Sequence, residues 1–228
     1  TFHPEFAFLP RKFKIAVCGT EADRAAIQVH DIGIQIVKNT VDEIGFQVLV
    51  GGGLGRTPVI GSVIREFLPQ EDLLTYLDAI LRVYNRHGNR ANKYKARIKI
   101  LVKAWTPEVF AQEVEDEWEY TKKTLGKLTQ GEIDRVKDFF TQQPYEVLDG
   151  KDLDQKLTAS ESKNVAFDKW LQRNTREHKV DGYSSVTLSL KPTGVAPGDV
   201  TDSQLEAVAN LADAYSFGEV RATHNQNL

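Results

Sequence analysis

Ile44-Gly45-Phe46-Gln47-Val48-Leu49-Val50-Gly51-Gly52-Gly53-Leu54-Gly55-Arg56 is the stretch from which the fold can be worked out. It begins as an apolar run typical of a buried strand and ends in glycines, which permit a sharp turn. Two other runs, at 11–18 and 30–37, are also rich in β-branched residues, and Pro10 precedes the first. We therefore predict a small sheet with a glycine hinge.

The residues after this sheet predict helices. From Pro69 an apolar face recurs at helical spacing as far as Gly88, and 89–103 can continue as a second helix. Thr106-Pro107 is typical of a helix start, which predicts a helix to about Trp118. A capping box at Thr129 and Glu132 predicts another, with Phe140 still at helical spacing. Strands followed by helices indicate an α+β fold.

The last part of the chain predicts a different arrangement. Residues 141–165 are polar and predict a connector that leads into a short helix around Trp170. The run 183–190 alternates apolar and polar residues, as a half-buried strand does. A capping box at Thr201 and Gln204 opens a helix, and 219–228 predicts a final strand. The order is strand, loop, helix, strand.

Composition excludes several classes of protein. The chain has 228 residues, 41% hydrophobic and 27% charged, with a formal net charge of −3, so neither a disordered chain nor a surface built wholly for nucleic acid fits. Cys18 is the single cysteine, so we expect no internal disulfide and a reducing, cytoplasmic location. No apolar run approaches the roughly 20 residues of a membrane span. The chain has no Met, so we expect either a segment of a longer protein or unrecorded modified methionines.

The glycine loop does not match a nucleotide-binding motif. In a dinucleotide fingerprint that starts at Gly51 and Gly53, the third glycine would fall at Arg56, and no Gly-Lys-Ser/Thr of a P-loop follows. A flavin or nicotinamide module is therefore disfavoured. The loop is either a turn at which two backbones pack closely or, through Arg56, an anion site.

Basic residues are concentrated between Arg82 and Lys103, where no acid interrupts them. Such a run usually forms a solvated face, or it can be neutralised by the acidic residues of 113–119. A non-catalytic module that binds RNA or another polyanion is the alternative function. The basic residues of the run are Arg82, Arg86, Arg90, Lys93, Lys95, Arg97, Lys99 and Lys103.

Two further polar sets could bind an anion. Lys12 and Lys14 would share one face of a strand, which suits an anion between them or a strand at the edge of a sheet. Arg221, Thr223, Asn225 and Asn227 would share one face of the last strand. The five histidines lack the spacing of metal ligands, so we predict no metal site formed by them.

Four blocks of this sequence resemble the sirohaem-containing assimilatory sulfite and nitrite reductases. They are Leu9-Pro10-Arg11-Lys12-Phe13-Lys14, Leu49-Val50-Gly51-Gly52-Gly53-Leu54-Gly55, Gly88-Asn89-Arg90 and Arg221-Ala222-Thr223-His224-Asn225-Gln226-Asn227-Leu228. The resemblance implies a sirohaem-binding α+β domain with packed helices over 1–125 and a helical connector over 126–177. It also implies the N-terminal part of a ferredoxin-like half-domain over 178–228, truncated at its end.

The resemblance also implies a reaction and a site. Members of the family reduce sulfite to sulfide, or nitrite to ammonia, by six electrons at a sirohaem coupled to a 4Fe-4S cluster. By the match to the Arg-Lys-Phe-Lys motif, Lys12 and Lys14 are expected to hold the oxyanion and deliver protons. The residues expected to contact the cofactor are Arg11, Gly51, Gly52, Gly53, Arg56, Arg90, Arg97, Lys99, Arg221, Thr223, Asn225 and Asn227.

Departures from the family limit what the chain should do alone. The cluster cysteines of the family are expected beyond Leu228, other anion-binding arginines before Thr1, and Cys18 matches none of the ligands. We therefore expect that this segment binds neither sirohaem nor the cluster stably and is inactive by itself. The expected partners of the parent protein are sulfite or nitrite, between which the sequence does not choose, and a ferredoxin or flavoprotein electron donor. Nucleic acid and membranes are not expected partners.

Overall fold

A computed structural model describes residues 4–140, 142–148 and 164–228. The chain divides into two compact units, Thr1–Phe140 and Thr141–Leu228, which are called unit 1 and unit 2. The predicted divisions at 125 and 177 stay predictions. Part of the predicted connector, 149–163, lies outside the described residues.

The described part of unit 1 contains a sheet with the strand order β1-β2-β3-β4. β1 (Ile15–Cys18) runs parallel to β2 (Ile32–Lys38), and β2 is antiparallel to β3 (Ile44–Val50). β3 is antiparallel to β4 (Ser62–Pro69). The sheet predicted from the quoted stretch is present, but the first strand begins at Ile15 and not at residue 11.

β4 is not predicted from the sequence. Arg65 and Glu66 interrupt its apolar residues, and the β3–β4 register shifts around Val48. A register shift of this kind breaks the period-two pattern by which a strand is detected.

Four described helices follow the sheet in unit 1: α1 (Leu73–His87), α2 (Ile98–Trp105), α3 (Pro107–Thr124) and α4 (Gln130–Lys137). The Thr129 capping box is present at the start of α4. The prediction of a helix over 89–103 is wrong for its first half, and α2 begins only at Ile98. In that half, Asn89 and Asn92 side chains accept bonds from the amides of Asn92 and Tyr94, which favours turns over a helix.

The core of unit 1 lies between the helices and one face of the sheet. Alternate residues of β2 and β3 point into it and meet the apolar faces of α1, α2 and α3, as the period-two geometry of a strand requires. On the other face, Cys18, Ile27 and Leu49 form a small separate cluster. The buried core residues include Ile32, Ile34, Val48, Val50, Leu68, Tyr76, Ile80, Val83, Tyr84, Ile98, Val102, Phe110 and Val114.

The described part of unit 2 contains α5 (Val165–Asn174), β5 (Thr175–Glu177), β6 (Ser184–Val186) and α6 (Asp202–Tyr215). β5 and β6 are antiparallel, and the predicted capping box at Thr201 begins α6. The predicted strand over 183–190 is shorter than expected. Beyond Val186, Leu188 and Leu228 exchange backbone hydrogen bonds of 2.8 and 3.2 Å.

The prediction of a strand over 219–228 is wrong, since none of these residues is assigned to a strand. The Thr223 hydroxyl accepts bonds from the amides of Asn225 and Asn227, and the Thr223 amide donates to the Asn227 carbonyl at 2.8 Å. These local bonds close a turn. The prediction that Arg221, Thr223, Asn225 and Asn227 share one face of a strand is therefore wrong.

Candidate functional site

Three of the predicted site segments meet at Asp31, which is not among the predicted site residues. Asp31, just before β2, is fully buried, and its carboxylate accepts two bonds of 2.9 Å from the Arg97 guanidinium. The same carboxylate accepts a bond of 2.9 Å from the Lys14 amide. The Asp31 carbonyl accepts a bond of 3.0 Å from the Gly51 amide. Lys14, Asp31, Gly51 and Arg97 are called the Asp31 junction below.

One signal in the sequence points to Asp31. An acidic side chain directly before the buried run Ile32-Gly33-Ile34 must be paired, because a buried unpaired charge is very unfavourable. Its partner, Arg97, lies 66 residues further along the chain, so spacing alone does not identify the pair.

The segment 9–14 is held against the end of α1. A Cβ on Gly88 would lie 2.7 Å from Pro10, and the Phe13 ring packs on Tyr84 with ring centroids 5.5 Å apart. Arg90 donates to the Phe8 carbonyl at 2.9 Å. Burial, and next the negative charge of Asp31, raise the pKa of Tyr84 to about 12. The backbone that carries Lys12 and Lys14 is therefore fixed by packing.

Lys12 and Lys14 are exposed, and they precede β1 and are not part of it. The prediction that Lys12 and Lys14 share one face of a strand is therefore wrong. Within the described residues, neither ammonium group has a hydrogen bond or an ion pair, and the same holds for the guanidinium groups of Arg11 and Arg56. These four cations are available to bind an anion.

The three central glycines are explained by packing within the protein. Gly51 has a φ of +86°, which favours glycine. A Cβ on Gly52 would lie 2.3 Å from the Gln28 carbonyl oxygen, and Gly53 exchanges two 2.9 Å backbone bonds with Val59. Two backbones therefore pack closely here, as one of the two alternatives expected. A cofactor contact at Gly51, Gly52 or Gly53 stays a prediction.

Lys99 is buried and supports the loop after these glycines. Its ammonium group donates to the carbonyl oxygens of Leu54 at 3.1 Å and Thr57 at 2.6 Å. The two carbonyls flank Gly55 and Arg56. Lys99 therefore fixes the loop that exposes Arg56, and the ammonium charge is directed at the protein itself.

Most of the basic run 82–103 is engaged with other groups of unit 1. Arg82 contacts both Glu5 and Glu117, and Arg86 contacts Glu117 at 2.7 Å. Arg90, Arg97 and Lys99 bind the groups described above. Neutralisation by the acidic residues of 113–119, one of the expected outcomes, is confirmed for Glu117.

Unit 2 carries the remaining predicted residues. Arg221 pairs with Glu219, and the Asn227 side chain accepts a bond from the Leu190 amide at 3.3 Å. Arg221 and Thr223 line an open groove of about 640 Å³ together with apolar side chains such as Phe217. The structure brings Lys14, Gly51 and Arg97 together in unit 1, and cofactor binding by the residues of unit 2 stays a prediction.

Comparison with protein families identifies the family of the chain. Residues 1–122 match the family described as nitrite and sulphite reductase 4Fe-4S domain, and residues 176–228 match the nitrite/sulfite reductase ferredoxin-like half domain. The chain belongs to the nitrite and sulfite reductase family. The expected ferredoxin-like half-domain is therefore confirmed as a family match in the last part of the chain.

Individual members of the nitrite and sulfite reductase family show how much of a relative the chain covers. It is 30% identical over 225 residues to the assimilatory ferredoxin-dependent nitrite reductase of Haloferax mediterranei, which is 96% of this chain and 33% of the relative. It is 32% identical over 116 residues to sulfite reductase (ferredoxin) 1 of Mycolicibacterium paratuberculosis, 51% of this chain and 20% of the relative. The chain thus spans a third or less of these relatives.

A solved structure supports the fold. The chain is similar to the Mycobacterium tuberculosis NirA protein with a TM-score of 0.62 and 22% identity, over 98% of this chain and 33% of that one. At this identity the likeness concerns the fold alone, and it confirms the predicted α+β class.

The residues of this chain suit sirohaem but not a 4Fe-4S cluster, the two cofactors expected for the family. Sirohaem carries carboxylates, and the free cations of Arg11, Lys12, Lys14 and Arg56 are suitable partners for them. A 4Fe-4S cluster takes four cysteine thiolates, and the chain has only Cys18, so its own residues do not fit the cluster. The Cys18 thiol is buried, and contact with the Thr20 hydroxyl lowers its pKa.

Over the described ranges, no cluster of three or more His, Cys, Asp or Glu side chains is placed to hold a metal ion. Among the same residues, no helix has the length and apolar character needed to cross a membrane.

Proposed function

We propose that this chain forms part of a sirohaem-dependent assimilatory reductase that converts sulfite to sulfide or nitrite to ammonia. The observation that carries the proposal is that Lys12 and Lys14 expose unpaired ammonium groups on a backbone segment fixed at the Asp31 junction. The names of the relatives, which include both nitrite and sulfite reductases, support it. Six electrons reduce sulfite with six protons to sulfide and three waters, or nitrite with eight protons to ammonium and two waters.

The two lysines suit this chemistry. An ammonium group in a preorganised site attracts an oxyanion and stabilises the charge that develops on its oxygen atoms. It can also donate a proton to an oxygen atom that leaves as water. Sirohaem, when bound, supplies the iron at which the oxyanion is reduced. Lys12 and Lys14 are therefore proposed to hold the anion and pass it protons.

The other basic residues of unit 1 divide into two groups in this proposal. Arg11 and Arg56 have free guanidinium groups and would pair with cofactor carboxylates. Arg90, Arg97 and Lys99 donate to protein groups and would act by holding the segments that carry the free cations. For Arg97 and Lys99, a direct cofactor contact is the weaker alternative.

We further propose that residues 1–228 alone hold no cluster, bind sirohaem weakly at most and do not turn over. One cysteine, and a length about a third of that of the relatives, support this. The parent enzyme would receive electrons from a ferredoxin or a flavoprotein, since relatives are named ferredoxin-dependent or as an NADPH hemoprotein component. The lone thiol suits a cytoplasmic enzyme.

The test is a visible absorption spectrum of the full-length parent protein, produced with sirohaem synthesis supplied, beside residues 1–228 treated identically. We expect a sirohaem spectrum and sulfite or nitrite reduction in the parent and neither in the segment. A colourless parent that reduces neither anion would overturn the proposal. Lys12→Met and Lys14→Met in the parent should each lower kcat/KM by about 10-fold to 100-fold, and Lys103→Met, an exposed lysine of α2, should not.

The polyanion-binding alternative has less support. Five of the eight cations in 82–103 already contact protein groups, as described for Arg82, Arg86, Arg90, Arg97 and Lys99. An RNA affinity that falls steeply with salt would be needed to revive it.

A further inference from the structure

We propose that Asp31 is the positioning residue that fixes Lys14 where its ammonium group meets the oxyanion. This inference rests on the proposed function. It concerns a residue that touches neither anion nor cofactor and that acts through the backbone of Lys14.

The Lys14 peptide is bound on both sides. Its amide donates to the Asp31 carboxylate at 2.9 Å, and its carbonyl oxygen accepts a bond of 3.1 Å from the Ile32 amide. Ile32 is the first residue of β2 and Asp31 directly precedes it, and neither has any exposed surface. The Cα of Lys14 is thereby fixed to the sheet while its side chain stays exposed.

The charge of Asp31 leaves Lys14 free to act. Arg97 binds both carboxylate oxygens in a side-on pair, so the negative charge is compensated inside the protein. Lys14 binds this carboxylate through its backbone amide, so its ammonium group takes no part in the ion pair between Asp31 and Arg97. A carboxylate that accepts several bonds is a rigid anchor, and small displacements of a catalytic group reduce rates strongly.

The same residue links the lysine segment to the glycine loop. The Asp31 carbonyl accepts the Gly51 amide bond, and Gly51 begins the loop that exposes Arg56. One buried residue therefore sets the relative placement of two segments that carry free cations.

The bond to Lys14 uses the backbone, and this makes a sharp test possible. Lys14→Gln removes the ammonium group and keeps the amide that binds Asp31. In Asp31→Asn, the carboxylate charge is lost and one acceptor oxygen becomes an NH2 group that faces a donor of Lys14 or Arg97, so the anchor is weakened at similar size. The first measurement is kcat/KM for sulfite and nitrite in the full-length parent, obtained from single turnovers so that slow variants stay measurable. The second is amide exchange, followed by mass spectrometry on peptides that contain Lys14.

We expect Asp31→Asn to lower kcat/KM at least tenfold in the Lys14 enzyme and less than twofold in the Lys14→Gln enzyme. Exchange at the residue 14 amide should accelerate at least tenfold in both backgrounds. Glu115→Gln, which weakens the Arg65–Glu115 pair between β4 and α3, should leave both readouts within about twofold of the parent. If Asp31→Asn does not fold, Asp31→Glu replaces it, since it keeps the charge and moves the carboxylate by one methylene group.

The outcomes separate this inference from the proposed function. An equal loss of kcat/KM in both Lys14 backgrounds, or unchanged exchange at residue 14, overturns the positioning role. A parent enzyme that reduces neither anion overturns the proposed function, while the exchange measurement still reports whether Asp31 anchors Lys14.

Discussion

The ammonium group of Lys99 lies 2.6 Å from the carbonyl oxygen of Thr57. A second bond to the Leu54 carbonyl makes this buried lysine a bridge across the loop between the glycines and β4. Hydrogen bonds from a charged donor are stronger than neutral ones, and here they hold a loop whose residues 54–57 are all exposed. Lys99 therefore supports the loop that exposes Arg56, and a cofactor contact of Lys99 stays a prediction.

Lys99→Met should destabilise unit 1 by about 1–3 kcal/mol, because two charge-assisted bonds are lost at a site of similar volume. In this variant, amide exchange in peptides covering 54–57 should accelerate. Urea denaturation measures the change in the free energy of unfolding. Lys103→Met on the same helix changes an exposed lysine and should stay within about 0.5 kcal/mol. Equal effects of the two variants would contradict the supporting role.

Elements fixed by local signals could be predicted from the sequence. Pro107 at the start of α3 and the capping boxes at Thr129 and Thr201 use residues within one helical turn, and the structure contains all three helix starts. β3 can be predicted because, apart from Gln47, its residues are apolar or glycine.

Elements that depend on distant or competing contacts could not. β4 is hard to detect in the sequence because its register with β3 shifts, which breaks the alternation of apolar and polar residues. The turn at Thr223 forms because the Thr223 hydroxyl binds backbone amides that would otherwise pair with a neighbouring strand. Lys14 could be selected as a site residue from its motif. Asp31 shows in the sequence only as an acid that needs a partner, because the partners that set its role, Arg97 and Lys14, are brought to it only in the folded chain.

Gly52→Ala tests whether the glycine loop serves packing. The added Cβ would lie 2.3 Å from the Gln28 carbonyl oxygen and 2.6 Å from that of His30, and backbone atoms at this distance must move. We expect a loss of about 2 kcal/mol or more in the full-length protein made without sirohaem. Gly55→Ala, with a φ of +99° and no atom within 4 Å, should lose only about 1 kcal/mol. An unchanged thermal midpoint for cofactor-free Gly52→Ala would instead favour a glycine needed for cofactor access.

Arg97→Met tests the charge balance at the Asp31 junction. The Asp31 side chain has no exposed surface and that of Arg97 is 19% exposed, so removing the guanidinium leaves a buried carboxylate without its counter-charge. We expect a loss of about 3–5 kcal/mol in urea denaturation. The double variant Asp31→Asn/Arg97→Met should lose at least about 1 kcal/mol less than the sum of the two single losses. Simple additivity would show that the pair is not energetically coupled.

Tyr84 gives unit 1 a specific dependence on alkaline pH. Burial, followed by the charge of Asp31, raises its pKa from 10.0 to about 12, and its hydroxyl donates to the Ala96 carbonyl at 2.8 Å. An unfolded tyrosine ionises near pH 10, so between pH 10 and 12 the unfolded chain loses a proton that the folded protein keeps, and stability falls as pH rises. We expect Tyr84→Phe to be about 1 kcal/mol less stable than the parent sequence at pH 8. By pH 11.5 that difference should shrink or reverse, because the variant lacks this ionisation. Urea denaturation at several pH values measures the difference, and a gap that stays constant to pH 11.5 would show that the Tyr84 hydroxyl titrates alike in both states.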